Sequence, residues 1–167
     1  MKIGIIPLSF ALREGRGAQS LCNVRLAEAT ERVALALNSE GIQYLCSSQW
    51  EVALALHVPT IHVVCEHRVK GQYLDSEEVC AQSIEAFNSA GGVDAVLPIA
   101  QPFLQLHKVQ QQLLNAGQKL FWRWKSYELI GWIGFDKDSD QPWTRSAPAL
   151  LKYALDQMRK GKLTEKV

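Results

Sequence analysis

One feature constrains this chain more than any other: short apolar runs alternate with longer stretches whose apolar residues recur at helical spacing. Residues 2–6 form a compact apolar run, and residues 24–39 follow with Leu26, Ala29, Val33, Ala36 and Leu37 on one helical face. Gly41 then stands where a helix would end. Residues 42–46 predict a second strand. Residues 49–57 predict a short helix that stops before Pro59, because a proline disfavours the α conformation in the residue before it. Residues 60–65 are rich in β-branched side chains and predict a third strand.

The alternation continues. Asp75 or Ser76 can cap a helix that runs to Ser89, with Glu77 and Glu78 in its first turn. Residues 94–99 predict a fourth strand, 102–115 a helix and 119–122 a fifth strand. Residues 123–146 are irregular and aromatic, and Pro148 opens a last helix to Met158. Strands alternating with helices of this length imply right-handed crossovers and a parallel sheet covered on both faces. The expected architecture is a three-layer α/β/α, doubly wound, Rossmann-like sheet of five strands in the order 3-2-1-4-5. Ligands on such sheets sit beyond the carboxyl ends of the strands. That rule selects residues 7–20, 47–51, 66–75 and 100–107 as the candidate site.

Composition supports one domain. The chain has 167 residues, 47% of them hydrophobic and 21% charged, which suits a single globular unit over 1–158 with a charged tail at 159–167. Lys and Arg number 18 against 17 Asp and Glu, so no basic excess exists to drive binding to nucleic acid. No stretch is long and apolar enough to predict a membrane span or a secretion signal, and the expected location is the cytoplasm. The four cysteines, Cys22, Cys46, Cys65 and Cys80, include no C-x-x-C pair. They read as buried thiols without disulfides. His57, His62 and His67 lack the spacing of a metal site, so no metal is expected.

Within the first candidate loop, Gly15 and Gly17 would let backbone amides approach an anion, and Arg13 and Arg16 could grip a phosphate or carboxylate. No dinucleotide or P-loop glycine fingerprint is present. Ser47 and Ser48 stand at the expected start of the short helix, where hydroxyls cap or hold an anion. Glu51 would then face the cleft, either compensating the helix dipole, binding a ribose hydroxyl or acting as a base. His107 sits one turn into the helix after strand four. The late aromatics Trp122, Trp124, Tyr127, Trp132, Phe135 and Trp143 read as a satellite core, a lid or a partner surface. Trp122 and Trp132 are expected to be buried against the last helix.

Several of these segments together resemble the bacterial YdcF/SanA/ElyC-like domain. The resemblance spans roughly residues 1–158 and rests on the order of weak motifs. Arg25-Leu26-Ala27-Glu28-Ala29 matches the family's R-L-x-x-A helix, and Ser47-Ser48 its Ser-Gly strand end. Asp75-Ser76-Glu77-Glu78-Val79 loosely matches N-T-x-E-A. Residues 100–107 stand where the family has T-S-x-[FY]-H-x-x-R. Leu8-Ser9-Phe10 replaces the family's glycine-rich turn, Leu104 its motif histidine and His107 its arginine.

The resemblance implies a Rossmann-like fold and a nucleotide-type ligand such as S-adenosylmethionine. The resulting expectation is a domain that binds a small anionic or nucleotide-like ligand, lined by Arg13, Arg25, Ser47, Ser48, Asp75 and Glu78. Any catalysis is expected from Glu51 and His107. The alternatives are a hydrolase or glycosyl transferase on a nucleotide-like substrate, and an interaction module with a degenerate pocket.

Overall fold

The computed structural model describes residues 1–13, 19–102, 105–121, 128 and 130–160. It is an α/β fold built on a parallel sheet of four strands: β1 (Lys2–Pro7), β2 (Gln43–Gln49), β3 (His62–Val64) and β4 (Ala95–Ile99). Their order is β3-β2-β1-β4. The helices are α1 (Leu21–Ser39), α2 (Trp50–Ala53), α3 (Ser76–Ser89), α4 (Gln105–Asn115) and α5 (Ala147–Arg159). A single 3-10 turn, Pro142–Thr144, precedes α5.

β1 is central, pairing Ile5 with Cys46 on one side and Gly4 with Val96 on the other. Its Ile3, Ile5 and Ile6 are fully buried, as expected for a strand covered on both faces. α1 packs against α2, and α3 against α4. With right-handed crossovers, β1→β2→β3 places α1 and α2 on one face, and the return to β4 places α3 on the other. α3 comes very close to the sheet: a Cβ on Gly4 would lie 2.5 Å from the Phe87 ring. Polar side chains fix the helix starts. Ser20 caps α1 by accepting from the Cys22 amide, Asp75 caps α3 through the Glu78 amide, and Ser146 caps α5 through the Ala149 amide.

The expected five-strand sheet is corrected to four. Residues 119–121 lie where the fifth strand was placed, beside β4, but only Leu120 bridges to Val96. Two hydrogen bonds make that bridge, Val96 N–H to the Lys119 carbonyl and Phe121 N–H to the Val96 carbonyl, both 2.8 Å. Trp122, the last residue of that run, lies outside the described residues.

β2 runs three residues further than expected, so Ser47, Ser48 and Gln49 are strand rather than a helix start. Ladder pairing to His62, Val63 and Val64 carries it on. The helix expected over 49–57 is consequently one turn, because the chain must descend and meet β3 across Pro59.

Trp132 is not buried: it is 64% exposed. Ile130 and Ile133 occupy the buried positions around it, and Phe135 turns inward onto Phe10 with ring centroids 6.0 Å apart. Trp143 stacks on Tyr153 of α5 at 4.8 Å. Trp122, Trp124 and Tyr127 lie outside the described residues. All four cysteines are free, but Cys65 is exposed rather than buried, since it follows the last residue of an uncovered edge strand.

Candidate active site at the strand ends

The carboxyl ends of β1, β2 and β4 converge through side-chain amides. Gln49, the last residue of β2, accepts a hydrogen bond from the Ser9 amide at 3.0 Å. Gln105, the first residue of α4, donates to the Ser9 carbonyl at 2.7 Å and accepts from the Gln101 amide at 3.0 Å. Leu8 N–H continues the β1 ladder onto the Ile99 carbonyl. Backbone groups that run out of ladder at the strand ends are thus satisfied by glutamines.

Glu51 sits in this group. The first turn of α2 buries it to 9% exposure, and the Gln19 side chain donates to its backbone carbonyl. Its carboxylate Oε2 is buried and has no hydrogen-bond partner among the described residues. Desolvation pushes its pKa up; the Ser9 and Gln49 side chains only partly offset this. Tyr73 approaches from the β3–α3 connection. The residue is largely exposed, and its hydroxyl accepts from Gln141 at 2.6 Å. Desolvation raises the phenol's pKa, and the nearby charges of Glu51, Tyr153 and Asp75 raise it further against the Gln141 hydrogen bond.

The other expected site residues are engaged elsewhere. Arg13 forms a two-pronged pair with the buried Asp136, at 2.7 and 2.5 Å, and reaches Asp138 at 3.6 Å. Those hydrogen bonds hold the Asp136 carboxyl down at about 2. Arg13 is therefore a fastener between loops, its charge already matched. Arg25 donates to the Ile133 carbonyl at 3.2 Å. Ser47 is fully buried and donates to Ser83 of α3 at 2.9 Å, while Ser48 donates to the Gln49 carbonyl. Both hydroxyls are internal to the fold.

Asp75 is spent on its cap. Glu78 is clamped by Arg68, at 2.6 Å to Nε, and by Gln82 at 2.7 Å. Hydrogen bonding from Arg68 lowers its pKa to about 2. His67 accepts from the Val69 amide through Nδ1, which leaves its proton on Nε2, 3.8 Å from Glu78. His107 is exposed on α4, whose Leu106, Val109 and Leu113 face inward. Gly15, Arg16, Gly17 and Leu104 lie outside the described residues.

Of the expected residues, then, Glu51 stands at the strand ends with unspent hydrogen-bonding capacity. Sequence reasoning missed Ser9, Gln49, Tyr73 and Gln141. The available signal for Ser9 was its place as the first polar residue after the apolar run of β1; Gln49, which follows Ser47 and Ser48, carried none. Among the described residues, no group of three His, Cys, Asp or Glu side chains could hold a metal ion. No described helix is long and apolar enough to cross a membrane. No protein-family model, curated protein or solved structure matches the chain.

Proposed function

We propose that the protein binds a small nucleotide-like ligand at the carboxyl ends of β1 and β2, with a ligand hydroxyl donating to Glu51. One observation carries the reading: Glu51 Oε2 is buried without a hydrogen-bond partner among the described residues. Leaving a buried acceptor unmatched costs about 1–3 kcal/mol, and more when it is charged, so the arrangement is unfavourable until a donor arrives. A sugar hydroxyl is such a donor. The resemblance to the YdcF/SanA/ElyC-like domain implies the same ligand class. An anion gripped by Arg13 finds no support, because Asp136 already neutralises that guanidinium.

A hydrolase or glycosyl transferase acting on the same ligand class is the second reading. The raised pKa of Glu51 favours it, since a carboxyl that holds its proton nearer neutrality can protonate a leaving group. His107, exposed on α4, has no part in this scheme.

Calorimetric titration with adenosine, 2′,3′-dideoxyadenosine and S-adenosylmethionine tests the proposal. Adenosine and S-adenosylmethionine should bind, the dideoxy compound should bind at least tenfold more weakly, and Glu51→Gln should remove that difference. Absence of binding, or equal affinity for the two nucleosides, overturns the proposal.

A further inference from the structure

Tyr73 lies on the connection from β3 to α3, and its hydroxyl accepts a hydrogen bond from the Gln141 side chain at 2.6 Å. Gln141 is held in turn. Its backbone N–H donates to Ser139 Oγ at 3.1 Å, and Ser139 exchanges hydrogen bonds with Leu12 of the first loop. Glu51 is tied to the same loop. The Gln19 side chain donates to its backbone carbonyl, and the Ser9 amide donates to Gln49, two residues before it. Tyr73 and Glu51 are thus anchored to one loop, and they lie close enough that the charge on Glu51 raises the pKa of the phenol.

Their hydrogen-bonding capacities are complementary. A phenol has one proton to give and an oxygen that accepts. Gln141 uses the accepting side of Tyr73, and the phenol proton goes to no acceptor among the described residues. Glu51 Oε2 is the reverse case, a buried acceptor without a donor among the described residues. A ligand hydroxyl answers both needs, because it gives one proton and its oxygen accepts another. A ketone or ether oxygen has no proton for Glu51, and an ammonium group has no lone pair for Tyr73.

We propose that Tyr73 is the second residue on the ligand hydroxyl met by Glu51: Glu51 Oε2 accepts the hydroxyl proton, and Tyr73 donates to the hydroxyl oxygen. The pair then selects a hydroxyl over an amine or a carbonyl at that position. Gln141 is a positioning residue, since its N–H fills one side of the phenol oxygen and leaves the O–H directed elsewhere. The inference rests on the Glu51 reading given above, and the two can fail separately.

The experiment is calorimetric titration of the parent, Tyr73→Phe, Gln141→Leu and Glu51→Gln with adenosine and 2′,3′-dideoxyadenosine. Tyr73 is largely exposed, so Tyr73→Phe should keep the fold. It should weaken adenosine about fivefold or more, the worth of one hydrogen bond, and leave the dideoxy compound unchanged. Gln141→Leu should lower the same preference for adenosine by a smaller factor, whereas damage to the fold would weaken both nucleosides alike. Equal weakening of both nucleosides by Tyr73→Phe, or an unchanged affinity for adenosine, overturns the inference. If Glu51→Gln abolishes the preference and Tyr73→Phe leaves it intact, this inference alone fails. The opposite result strikes the Glu51 reading alone, and a parent protein that binds neither nucleoside overturns both.

Discussion

Burial of the Glu51 carboxyl raises its pKa, so the folded protein holds that proton more tightly than the unfolded chain does. The unfolded value is about 4.3. Below it both states are protonated and burial carries no charge penalty. As pH rises through the raised folded value, the unfolded state ionises more readily and stability falls. Glu51→Gln removes the ionisation. The variant should melt higher than the parent at neutral pH, by about 1 kcal/mol or roughly 2–4 °C for a domain of this size. The gap should close as pH drops towards 4. Thermal melts of both proteins across that range decide it. A variant less stable than the parent at pH 7 would show that the carboxylate is matched by a donor in the free protein.

At the scale of elements, the closest packing is β1 against α3. Gly4 is the one β1 residue over which the Phe87 ring can lie, since an added Cβ would sit 2.5 Å from its edge. Gly4→Ala should cost about 1–3 kcal/mol by overpacking, measured by denaturant unfolding. Trp132 should behave oppositely. It meets Phe135 edge-on at 6.3 Å and is 64% exposed, so Trp132→Ala should cost less than about 1 kcal/mol.

These cases also show what was legible beforehand. The alternation of β1, α1, β2, α3, β4, α4 and α5 could be read from periodicity and caps, because those signals are local. The extension of β2 could not. Ser47 and Ser48 read as a turn, and what makes them strand is Ser83, thirty-six residues away, together with pairing to β3. The same holds for Arg13: its sequence context says anion grip, and its actual partner lies 123 residues on. Glu51 was legible as a residue of the strand ends, but its unmatched oxygen depends on the packing of α2.

Across the whole molecule, residues 130–145 return to the first loop and fasten onto it. Arg13 pairs with Asp136, Leu12 exchanges hydrogen bonds with Ser139 in both directions, and Asp140 donates to the Leu12 carbonyl. The Asp136 carboxyl is held at about 2, below its ordinary 3.8. Its contribution is therefore complete above the unfolded value and fades as pH falls towards the folded one. Arg13→Ala leaves that buried carboxylate without its cation and should cost about 3 kcal/mol at pH 7. Repeated near pH 2, the same comparison should give a much smaller difference, and an undiminished one would mean that the guanidinium acts through packing alone.

That fastening fixes an order of events during synthesis. Its two halves are separated by 123–127 residues, so neither can close without nearly all of the intervening chain. At typical elongation rates of about 5–20 residues per second, Asp136 follows Arg13 out of the ribosome by roughly 6–25 seconds. β1, α1 and β2 can collapse on one another well within that interval, since such local steps take microseconds to milliseconds. Any β1–β2 pair that forms in that interval has an upper rim that is still unlatched. Chaperones, proteases and neighbouring nascent chains meet that half-built rim first, and the finished rim exists only once the aromatic segment has arrived.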